Sequence, residues 1–92
     1  MESKQSKAQA LGSQKHQSEV ATRSLDDLLA MARHYRNEGD LRQAEDMFWM
    51  LVQDHAETPQ SELAKDELRG LAHVYDRDGC PHTARAIYER LT

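Results

Sequence analysis

One cysteine, Cys80, is all the chain has, so no internal disulfide can staple it and nothing in its cysteine usage calls for an oxidising compartment. Aromatic residues are scarce as well. Tyr35, Phe48, Trp49, Tyr75 and Tyr88 are the whole supply, which excludes a large aromatic core and leaves the first third of the chain with little to pack. No stretch approaches the ~20 apolar residues that a membrane-crossing helix needs, and the N-terminal MESKQSKAQALGSQKHQSEVATRS has no apolar signal-peptide core. The expectation is a soluble, cytoplasmic protein.

What is present is enough for one small domain: 92 residues, 38% hydrophobic, with a net charge of −4. The charge is unevenly spread. Residues 1–24 carry four Lys/Arg against two Glu, and residues 25–92 carry eight against fourteen acids. A disordered, polar, mildly basic tail (1–24) is therefore expected to precede an acidic domain (25–92). The spread-out cations of that tail give a nucleic-acid-associated accessory role as the alternative function, one that would weaken steeply with salt.

Shifting the sequence by forty residues against itself aligns Leu28 with Leu68, Met31 with Leu71, Ala32 with Ala72 and Tyr35 with Tyr75. The same shift aligns Gly39 with Gly79, Ala44 with Ala84, Met47 with Ile87, Phe48 with Tyr88 and Leu51 with Leu91. Within each unit the apolar residues recur at steps of three and four, as in Leu25, Leu28, Ala32, Tyr35 and then Leu41, Ala44, Met47, Phe48, Leu51. Each unit is thus two helices with a glycine turn between them. The spacing predicts helices over about 25–38, 41–56, 59–76 and 81–91, with Ser24 and Thr58 as N-caps and Pro59 and Pro81 in first turns. Gly70, inside the third helix, costs roughly 1 kcal/mol relative to alanine. A close approach by a neighbouring helix backbone would account for it.

The segments LLAMARHYRNEGDLRQAEDMF and LRGLAHVYDRDGCPHTARAIY resemble tetratricopeptide (TPR) repeats: a leucine, a large-small pair, a tyrosine, a glycine before the second helix, then an alanine and an aromatic four residues apart. Ala32 and Ala72 stand where the family has glycine, and the period is forty against thirty-four. Pro59-Gln60-Ser61, opening a longer unit, is similar to the repeats of bacterial cell-envelope assembly proteins. The resemblance implies an all-α fold of four antiparallel helices, stacked as two helical hairpins. It also implies a non-catalytic adaptor or scaffold for protein binding, and fold-level analogy names no partner.

The second unit serves as a control on the first. Trp49, Met50 and Val52, in the apolar run MFWMLV, correspond to the polar Glu89, Arg90 and Thr92. Val52 and Met50 flank the core stripe, whereas Trp49 points about 145° away from its centre. These three residues are expected to form an apolar contact surface for another molecule. Two stacked units also leave the outer flank of the fourth helix bare, so a homodimer or larger homo-oligomer is expected.

On the opposite side, helical spacing lines an inner face with Asp26, Leu29, Arg33, Arg36 and Asn37, then Asp66, Arg69, His73, Asp76 and Arg77. In the family resembled, peptides dock on this inner face. Arg33, Arg36, Asn37, Arg69, His73 and Arg77 are expected to form a groove for an acidic peptide, guanidinium forks meeting carboxylates. A solvated face, its arginines neutralised by Asp26, Asp66 and Asp76, is the alternative. No catalytic, metal or cofactor role is expected. The Cys80-Pro81-His82 sequence lacks paired ligand spacing, the aspartates of DRDG (76–79) have no glutamate closing a calcium loop, and no nucleophile has a base.

Overall fold

A computed structural model describes residues 23–92, in which four helices and no strand are present. α1 is helical over residues 23–37, α2 spans Leu41–Asp54, α3 Pro59–Arg77 and α4 Pro81–Leu91. The chain folds as two antiparallel helical hairpins, α1–α2 and α3–α4, stacked so that α3 packs against both α2 and α4. Residues 1–22, most of the expected tail, lie outside the described residues. Residues 23 and 24 are already helical, so Ser24 sits inside α1 and does not cap it.

The same turn closes both hairpins. At the end of α1 the Asp40 amide donates to the Tyr35 carbonyl at 2.9 Å and the Gly39 amide to Arg36 at 3.0 Å. Forty residues on, Cys80 donates to Tyr75 at 2.7 Å and Gly79 to Asp76 at 3.2 Å. This pair of bonds requires a left-handed residue just past the helix, and the glycines supply it with φ of 86° and 87°.

Between the hairpins, α2 ends at Asp54, two residues earlier than its apolar pattern suggests. The link His55–Thr58 includes Glu57 at φ 71°, a conformation that disfavours a side chain by about 1–2 kcal/mol. Thr58 then starts α3: its hydroxyl accepts from the Ser61 amide at 3.1 Å and donates to the His55 carbonyl at 2.6 Å. Thr58→Ala loses both bonds. It should cost about 1 kcal/mol, read as a lowered urea midpoint with unchanged slope.

Phe48, Leu51, Leu68, Leu71 and Ile87 are the largest fully buried apolar side chains. Four of these five belong to α2 and α3, so the seam between the two units is the heart of the core. Buried alanines at 32, 44, 64, 72 and 84 let the helices approach closely. Burial on α1 is centred on Leu29 and Ala32, with Leu25, Leu28 and Tyr35 only partly covered. Leu29, expected on the inner face, is instead a core residue.

Candidate interaction surfaces

Trp49 is not an outward contact. It is 5% exposed within a single chain, and two polar neighbours complete its shell. The indole N–H donates to Glu45 at 3.1 Å, and the Arg90 guanidinium carbon lies 4.1 Å from the ring centroid. The Arg90 side chain of α4 reaches Trp49 there, on the side of α2 that helical spacing turns away from the core stripe. Arg90, the polar counterpart of Met50 in the second unit, lies over the Trp49 ring. Val52 is half-buried against the core. Of the expected contact trio only Met50 stands on the surface.

The arginine face is largely occupied from within. Arg36 donates to Glu67 at 2.7 Å and Arg33 approaches the other oxygen of the same carboxylate at 3.6 Å, tying α1 to α3. Arg69 pairs with Asp66 at 2.6 Å one turn away, and Arg77 with its neighbour Asp78 at 3.5 Å. His73 turns its ring edge-on to Tyr88, and Asn37 is exposed. The structure therefore brings Arg33 and Arg36 together, and binds both to a glutamate that helical spacing had not placed among the inner-face residues. Asp26, expected to neutralise arginines, accepts from the buried Gln60 side chain at 2.7 Å.

Gly70 has its own explanation here. A Cβ on it would meet the Arg36 guanidinium at 3.0 Å, so the close approach is by a side chain and not by a helix backbone.

Tyr75 lies beside Glu45 and Arg42 on the other side of the molecule. Burial, and after it the Glu45 carboxylate, raise its phenol above the usual 10.0. Ionisation is thus harder in the folded chain. This contribution to stability is intact below the unfolded pKa and is lost as pH climbs through the raised value. Tyr75→Phe should remove that part of the alkaline decline, seen by comparing urea midpoints of the two proteins from about pH 8 to pH 11.

The two units share a buried core and differ in cover at their outer positions. Ala32 and Ala72, Ala44 and Ala84, and Met47 and Ile87 are buried in both units. Four other pairs split. Leu71 is 0% exposed and Met31 50%, while Phe48 is 0% and Tyr88 38%. Leu68 and Leu51 are likewise fully buried, and their counterparts Leu28 and Leu91 only partly so. Every residue that loses cover lies on α1 or α4, the outer helices of the stack.

No family model matches the chain, no curated protein matches its sequence, and no solved structure matches its fold.

Among the described residues no helix is long and apolar enough to cross a membrane, and no three His, Cys, Asp or Glu side chains converge as a metal site would need.

Proposed function

We propose that this chain is a non-catalytic protein-interaction module of two TPR-like hairpins, working in the cytoplasm and assembling with protein, in the first place with further copies of itself. The observation that carries the proposal is the split of the four repeat pairs: side chains that are fully buried at the inner seam have counterparts on α1 and α4 that are exposed, as Met31 and Tyr88 are, or only partly covered, as Leu28 and Leu91 are. Apolar residues clustered on one helix flank gain by finding cover, at roughly 25 cal/mol for each Å² removed from water. The exposed free thiol of Cys80 suits a reducing compartment.

An acidic peptide on the inner face has less support. Its carboxylate would have to displace Glu67 from Arg33 and Arg36, which exchanges one ion pair for another with little net gain. The alternative, nucleic acid held by the four basic residues of 1–24, would set a polyanion beside the excess of acids in residues 25–92.

Light scattering or sedimentation across a broad dilution series tests the proposal. The mass of the wild-type chain should rise with concentration, and Tyr88→Glu, at an exposed position, should hold it at the monomer with helicity unchanged. A wild-type mass that stays monomeric at every concentration would overturn self-association.

A further inference from the structure

The two open flanks are the two halves of one junction. At the seam inside the chain, α2 contributes Phe48 and Leu51, and α3 contributes Leu68 and Leu71. Forty residues from each of these stand Tyr88 and Leu91 on α4, and Leu28 and Met31 on α1. The outer flank of α4 is thus built like the side of α2 that receives α3. The outer flank of α1 is built like the side of α3 that fills it. The α4 flank is also hollowed: Asp76, Pro81, Ala84, Arg85, Tyr88 and Glu89 line a shallow groove of about 270 Å³.

Resting on the self-association proposed above, we infer that copies of this chain stack head to tail, Leu28 and Met31 of one copy entering the α4 groove of the next. The occupant of that groove is a second copy because the chain already carries the complementary half, in the register that its own seam uses. Such a contact is heterologous. It leaves a free flank at each end of a pair, so growth continues past the dimer unless the stack closes into a ring.

The polar positions make the junction weaker than the internal seam, and tunable. Inside the chain, Arg33 and Arg36 of α1 hold Glu67 of α3. Carried forward by forty residues, His73 and Asp76 come opposite Asp27 of the next copy. The arginine that anchors the inner seam is therefore replaced by a carboxylate facing a carboxylate, a repulsion where the seam has an attraction.

Two blocked variants test the arrangement: Met31→Glu closes the α1 flank and Tyr88→Glu the α4 flank, each at an exposed position and each checked for intact helicity by circular dichroism. Stacking head to tail requires that neither variant associates alone, yet an equimolar mixture forms a complex that stops at two chains, because each variant keeps the half that the other has lost. Asp76→Arg should in addition tighten wild-type association about tenfold by restoring the inner seam's pairing toward Asp27. If one blocked variant still dimerises alone, or the mixture stays monomeric while the wild type associates, head-to-tail stacking is wrong and self-association stands. A wild type monomeric throughout sinks both.

Discussion

Phe48→Ala should lower the melting temperature by on the order of 15–30 °C, or leave the chain largely unfolded at room temperature. Phe48 is fully buried at the seam between the units, and emptying such a site costs about 3–5 kcal/mol in lost transfer energy and residual cavity. Small domains sit near the lower end of the roughly 5–15 kcal/mol range of folding stability, so the loss is a large share of the whole. Tyr88→Ala is the matched control, since the same position of the repeat is exposed in the second unit. It should move the melt far less. Equal shifts for the two variants would mean that the seam is not the centre of the core.

Trp49→Ala should be nearly as damaging, again by about 3–5 kcal/mol, with loss of far-UV helicity on mild heating. Were the indole an external contact, its removal would cost the monomer almost nothing. Arg90→Ala removes only the guanidinium over the ring and should cost about 0.5–2 kcal/mol, with a red shift of the single tryptophan's emission as water reaches it. A native emission already typical of hydrated indole, or a melting point untouched by Trp49→Ala, would contradict the burial described above.

The helices and their turns were legible because their signals are local. Thr58 before Pro59, the glycines at 39 and 79, and apolar steps of three and four each act within a turn of chain, and the forty-residue self-match fixed the pairing of the elements. What could not be read is how far each helix is wrapped by neighbours distant in sequence. Helical spacing gives α2 one buried side, whereas the Arg90 side chain that lies over Trp49 crosses from the far end of the other unit. Leu29 was misplaced for the same reason: it turns toward the core, whereas its repeat counterpart Arg69 remains outside. Glu67 left one trace in the sequence. It lies three residues before Gly70, whose missing side chain makes room for the Arg36 guanidinium that the glutamate binds.

Since α3 has packed neighbours on both sides and the outer helices have open flanks, the chain should loosen from its ends inward. Backbone amides of α3 would then be the last to trade protons for deuterons, their rates tracking global unfolding, while α1 and α4 exchange through smaller openings. Stacking copies would slow exchange selectively in those outer helices, giving each end of the molecule its own kinetic signature of being occupied.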